Sequence, residues 1–300
     1  MSSSQGSSTH LPVFVAGTRH WTVGDVRSFS GQSFNGQTLG GAPGASVNSV
    51  EDAIAEFRYR HDLISAEECE AWLALRGLEY TDLHDCISRR SSGVASRDDR
   101  EAEIDFLLSD QFAAVVRALS WRVAMAVELQ LPLPSTAPAP SACWREWEQR
   151  FDDQRGQLLS TEARTRVLAR LRRTLTRVHF LSAEFDSINA ALEARSCVNE
   201  DRTTLESVAA ANGYPYRQDS CFIDELPAEW APILCAGALG AASSPLSLDG
   251  RFLLLSTLQR TEPRLTDADV LARIDSVIVE QHFDALASKH VRWIIPVGHG

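Results

Sequence analysis

The hydrophobic period of the chain changes at Thr176, and that change limits what the chain can fold into. Upstream, apolar residues recur at three- and four-residue spacing, first in Ala53, Ile54, Phe57 and His61. They do so again in Ile104, Leu107, Leu108, Phe112, Val115, Val116, Leu119 and Val123. Such spacing makes one face of an amphipathic helix. Downstream, Arg177 to Leu181 reads as a strand, and short strands and helices then alternate to the C-terminus. A mainly helical region followed by a short mixed module predicts an α+β fold.

Residues 1–9 are expected to be disordered. LPVFVAGTRHW reads as a short strand, and Thr22 caps a helix through Phe29. Residues 30–48, rich in glycine and serine, read as a flexible linker. Gly40, Gly41 and Gly44 lack the preceding strand that a phosphate-cradling loop needs. A helix is expected from Ser49 to near Asp62. A second has Ser65 and Glu68 as a capping box, carries Trp72 and Leu73, and ends at Gly77. A third runs from Tyr80 to Arg90 and buries Leu83 and Ile87. One long helix starts near Asp99, and the proline-rich stretch 131–142 breaks the pattern. Trp144 to Phe151 and Thr161 to Arg173 are two further helices, the second capped by Ser160. That second helix carries Arg164, Arg166, Arg170, Arg172 and Arg173 against Glu162, which suits an acidic partner or RNA, and suits better a solvated face balanced by acidic neighbours.

Beyond Thr176, helices are expected over Ser187 to Arg195, Thr204 to Asn212 and Ala228 to Gly237, with Gly213-Tyr214-Pro215 as a turn. Asp219 to Ile223 is a short extended piece. Leu246 and Leu248 alternate with polar residues, Asp249-Gly250 turns the chain, and Phe252 to Leu258 is a strand. Thr266 caps a long helix through about Lys289, and HVRWIIPV closes as a strand. Residues 1–29 and 291–297 are expected to pair as strands, since PVFVAG and VRWIIP have no other obvious partner.

The net charge is −11, and Lys289 is the only lysine. This acidic balance argues against non-specific binding of nucleic acid or of an anionic membrane. The N-terminus shows no secretory signal, and Trp230 to Leu246 is too short and broken to span a bilayer. Six cysteines without a CxxC pair fit reduced thiols and a cytoplasmic location. His84-Asp85-Cys86 is the one tight group of metal-ligand types, and it reads as a helical surface. No metal or other cofactor is called for.

The order strand–helix–helix–turn–helix–strand over 176–262 resembles the parvulin-type peptidyl-prolyl isomerase domain. VHFL (Val178 to Leu181) resembles its opening strand. LPAEWAPILCAGALGAASSP places Trp230, Gly240 and Pro245 as the family places an aromatic, a glycine and a proline. LDGRFLLLSTL resembles the closing strand, at the cost of about one deletion beyond Pro245. The flanks resemble SurA and foldase chaperones, in which such a module is inserted into a helical domain. On that resemblance residues 10–175 form a helical chaperone-like domain and 176–262 the parvulin-like module. Residues 263–300 then return as a helix and strand to the first domain. The layout is similar to parvulin-related proteins of bacterial peptide maturation.

Prolyl isomerisation must lower a rotation barrier of about 18–20 kcal/mol. It breaks no covalent bond, so a desolvating pocket that prefers the twisted amide can suffice. The resemblance implies two histidines, a cysteine or aspartate near them, and an apolar pocket. His179 matches the first histidine, whereas Phe252 stands at the second and can neither hydrogen-bond nor titrate. Asn212-Gly213 stands where the cysteine or aspartate belongs, and RQDSCF lacks both glycines of the family's turn around Asp219. Leu226 and Trp230 keep the pocket apolar, with Phe222 and Phe252 as further substrate-binding residues. The bland alternatives are a strand histidine satisfied locally, ordinary core packing for Leu226 and Trp230, and small buried thiols at Cys221 and Cys235.

The resulting expectation is a binder of extended or proline-containing peptide, acting as chaperone or as partner of a modifying enzyme in peptide maturation, with little or no catalysis. One alternative is an active isomerase. Another is a structural subunit of a larger complex, with Trp144, Trp147, Phe151 and the arginine-rich helix at its interface.

Overall fold

The computed structural model of the chain describes residues 8–33, 49–96, 98–136, 139–248 and 250–295. It is an α+β protein with two small antiparallel sheets. Two compact units make it up, Met1–Gln157 with Glu280–Gly300, and Leu158–Val279. The 34–48 part of the expected linker, Ala137 and Pro138, Asp249 of the expected turn, and residues 296–297 lie outside the described residues, as do residues 1–7.

The first unit opens with β1 (Pro12–Ala16), β2 (Arg19–Thr22) and α1 (Val23–Ser33). The segment expected as one strand is therefore a hairpin. Its two-residue turn is Gly17-Thr18, and Gly17 takes a φ of 60°, as the first position of a type II′ turn requires. Ser8–His10 form a 3-10 turn, and α1 runs through residues 30–33, so the described ends of both segments expected as irregular are ordered. Helices α2 (Val50–Arg60), α3 (Ala66–Ala74) and α4 (Tyr80–Ser91) follow. The Ser65–Glu68 capping box is present in both directions.

The long helix expected from Asp99 is two, α5 (Asp99–Leu107) and α6 (Asp110–Glu128). Ser109 is extended and its hydroxyl accepts from the Phe112 N–H, so it starts a new helix inside an unbroken apolar pattern. Helix α7 (Ser141–Leu158) begins at the end of the proline-rich stretch.

The core of this unit is aromatic. Trp21 lies 6.1 Å from Trp144 and 5.8 Å from Trp147, and Phe29 lies 5.5 Å from Trp144. Trp144, Trp147 and Phe151 are all buried, so the side chains considered for a subunit interface are taken up by their own unit. Asp25, fully buried in the first turn of α1, accepts from the Thr22 N–H at 2.9 Å and pairs with Arg19.

The second unit contains α8 (Thr161–Leu171), β3 (Arg177–Phe185), α9 (Ile188–Glu200), α10 (Leu205–Ala211) and β4 (Tyr216–Phe222). It continues with α11 (Trp230–Ala236), β5 (Leu246–Leu248), β6 (Arg251–Thr261) and the first half of α12 (Ala268–His290). Helix α8 belongs here although it precedes Thr176. Its Val167 packs with Leu175, Phe222, Val270 and Ile274, and Arg164 makes a bidentate pair with Asp275 at 2.7 Å. Its arginine face is partly neutralised by acids, with Arg166 on Glu162 and Arg172 on Glu262. Helix α12 begins after Asp267 rather than after Thr266.

Strand β7 (Val291–Trp293) closes the first unit's sheet, ordered β2-β1-β7, with Phe14 opposite Trp293 and Val15 opposite Arg292. The terminal strands expected to pair do so. Among the described residues no helix is long and apolar enough to cross a membrane.

Removing the Asp25 carboxylate leaves Arg19 uncompensated and the Thr22 N–H without its acceptor. Asp25→Ala is expected to cost about 3–5 kcal/mol in urea unfolding. Asp25→Asn, which keeps the shape, is expected to cost less.

Candidate functional site

The second sheet has the order β4-β3-β6-β5, all antiparallel. Side chains alternate between its faces. One face carries Leu181, Ala183 and Phe185 of β3, which pack against Ala191, Ala194 and Val198 of α9 and Leu205 and Ala209 of α10. The opposite face carries Val178 and Phe180 with Leu253 and Leu255 of β6, covered by Leu234 of α11.

This alternation places the residues singled out from the sequence. His179 is half-buried on the α9–α10 face, with Ser220 of β4 and Gln259 of β6 opposite it. Phe222 shares that face. Both line a cavity of about 300 Å³, with Arg177, Thr261, Pro263, Asp267 and Val270 among its walls. The guanidinium groups of Arg177 and Arg273 lie 4.2 and 4.3 Å from the centre of the Phe222 ring.

Trp230 and Leu226 are on the other side of the sheet, where Trp230 meets Phe180 edge-on at 6.0 Å. Phe252 lies opposite Phe185, which puts it six residues along β3 from His179, about 20 Å away. The structure therefore brings His179 to Phe222, and Leu226 to Trp230, and does not join either pair to the other or to Phe252. The sheet separates the histidine from the apolar pair that would desolvate a proline.

Neither Cys221 nor Cys86 is an activated thiol. Burial pushes the Cys221 thiol up, with Glu225 and Asp219 adding to it. Cys86 of the His84-Asp85-Cys86 group is buried and donates to Asp105 Oδ1 at 2.8 Å. Burial and that bond push it up to about 12. His84 and Asp85 are exposed. Among the described residues no group of three or more His, Cys, Asp or Glu side chains is placed to hold a metal.

Strand β4 has another property. It is an edge, and Tyr216 to Ser220 are all exposed. Ile223 N–H donates to Thr176 O at 3.1 Å, and Glu184 N–H donates to Pro215 O at 3.0 Å. These bonds set the phase of the antiparallel pair, because bonded and non-bonded pairs alternate. Arg217, Asp219 and Cys221 turn their backbone groups toward β3. Tyr216, Gln218 and Ser220 turn both N–H and C=O away from the sheet. The next outward N–H, that of Phe222, donates to Glu225 Oε2 at 2.8 Å, and Glu225 is held by Arg273. The open edge is thus bounded at one end by a side-chain cap.

None of Tyr216, Gln218 or Ser220 stands out in the sequence. Only the register of β3 with β4 identifies them.

No protein-family model matches the chain. No curated protein matches it. Among solved structures the chain is similar to the foldase protein PrsA from Streptococcus pneumoniae. That likeness has 12% identity and a TM-score of 0.33, over 89% of this chain and 79% of that one. It is also similar to a SurA-like chaperone of Campylobacter jejuni, with 11% identity and a TM-score of 0.20, over 95% of this chain and 99% of that one. Both likenesses are distant.

The phase of β4 is open to direct measurement. In dilute protein, amide exchange by NMR is expected to alternate along the strand. Arg217, Asp219 and Cys221 should be protected, and Tyr216, Gln218 and Ser220 should exchange fast.

Proposed function

We propose that the chain is a chaperone-like binder of extended polypeptide, which takes its peptide as an added strand on β4 and contributes little or no isomerisation. The observation that carries this reading is the row of outward backbone groups at Tyr216, Gln218 and Ser220. Strand addition draws affinity from main-chain hydrogen bonds and needs no catalytic group. The separation of His179 from Trp230 and Leu226 supports holding over turnover. In this reading the parvulin-like module holds an extended, proline-tolerant precursor for a modifying enzyme. Six free cysteines, with Cys69 and Cys86 buried, support a reducing compartment such as the cytoplasm.

The test is Gln218→Pro. It deletes the central outward N–H, a change that an edge strand tolerates because no bond to β3 is lost. Binding of a labelled, unstructured, proline-containing peptide is expected to weaken at least about tenfold, with the far-ultraviolet spectrum unchanged. In the same sample, proline isomerisation is expected to run at its uncatalysed rate with wild-type protein and with His179→Ala alike. Equal peptide binding by wild type and Gln218→Pro, or a rate enhancement that His179→Ala removes, would overturn the reading.

A further inference from the structure

The edge of β4 is also complementary to itself. Only residues that turn their backbone groups outward can bond to an added strand, so two antiparallel copies of β4 must match Tyr216, Gln218 and Ser220 with the same three residues. The frame that uses all three sets Gln218 opposite Gln218 of the second copy and Tyr216 opposite Ser220. Arg217 then falls opposite Asp219, and Asp219 opposite Arg217, in the non-bonded positions where side chains come nearest.

The neighbouring frames are disfavoured. Sliding one step in either direction sets Arg217 against Arg217 or Asp219 against Asp219, and like charges directly opposite are destabilising. Within one copy, Arg217 and Asp219 sit two residues apart on the same face, and neither has an ion pair among the described residues. Both are exposed. In a chain of net charge −11, two copies repel at long range. A local arrangement that opposes arginine to aspartate twice is what lets the two edges meet.

We infer that β4 is a homodimerisation edge, on which two copies join their sheets across a two-fold axis at Gln218 with reciprocal Arg217–Asp219 pairs. This inference rests on the strand register and the charges alone and does not require the peptide-binding role. If both hold, the dimer and the added peptide use the same groups and exclude each other.

The experiment is sedimentation of the full chain over a concentration series, against the monomer mass of 33.0 kDa. Wild type is expected to shift toward twice that mass as concentration rises. Arg217→Asp and Asp219→Arg, each placing like charges opposite one another, should each raise the dimer dissociation constant at least about tenfold. The double variant R217D/D219R should restore dimerisation, which a merely structural effect of either substitution would not do. A monomer at every concentration, single variants that dimerise like wild type, or a double variant no better than the singles would each overturn the inference.

Peptide binding by the monomeric Arg217→Asp variant separates the two ideas. A chain that dimerises through these charges but, once made monomeric by Arg217→Asp, binds no peptide sinks the proposed function and leaves the dimer. A wild type that stays monomeric at every concentration and binds peptide through Gln218 does the reverse.

Discussion

Strand β3 is hydrogen-bonded along both edges, to β4 on one side and to β6 on the other, and the second unit is organised around it. In an antiparallel ladder, side-chain direction and bonding direction both alternate with a period of two. One register therefore decides two things together: which residues lie under which helices, and which backbone groups of the edge strand stay open. The same choice that buries Leu181, Ala183 and Phe185 beneath α9 and α10 turns Gln218 outward. A slip of one residue between β3 and β4 would turn Gln218 inward and send every side chain of β4 to the opposite face.

Much of the helical part was legible because capping residues and apolar spacing act locally. Ser49, Ser65, Ser160 and Ser187 each stand before a helix and accept from its first turn. The failures are local too. The apolar pattern runs through Ser109 without a break, so the end of α5 and the start of α6 show only in the backbone. The hairpin at Gly17 was hidden because both arms are β-rich and its turn is one glycine and one threonine.

The site was much less legible. Aligning His179 and Phe252 by motif assumes that the strands meet there. The register instead sets Gln259 opposite His179, and then Thr257 opposite Phe180, leaving Leu258 as an extra, exposed residue in β6. Nothing in a linear sequence marks that inserted residue.

The almost exclusive use of arginine as the basic residue has a structural counterpart. Arg122 grips Glu148 through two nitrogens, at 2.8 and 2.9 Å, while its guanidinium lies 3.8 Å from the centre of the Phe151 ring. Arg117 reaches Asp284 beside Trp121, whose indole N–H donates to the same carboxylate at 2.8 Å. A planar guanidinium can form a bidentate pair and stack at once, and an ammonium cannot. In an aromatic core these pairs carry charge to positions where lysine would pack poorly.

Strand β5, at the far edge of the second sheet, is only three residues long. A sheet open on both sides can template growth without limit, which is how edge-to-edge aggregation spreads, and very short edge strands are one protection against it. Here the two edges are unequal, so anything added to β4 meets no comparable edge on the other side. Growth through this sheet is a chain reaction with its second step removed: it can begin at β4, and it stops there.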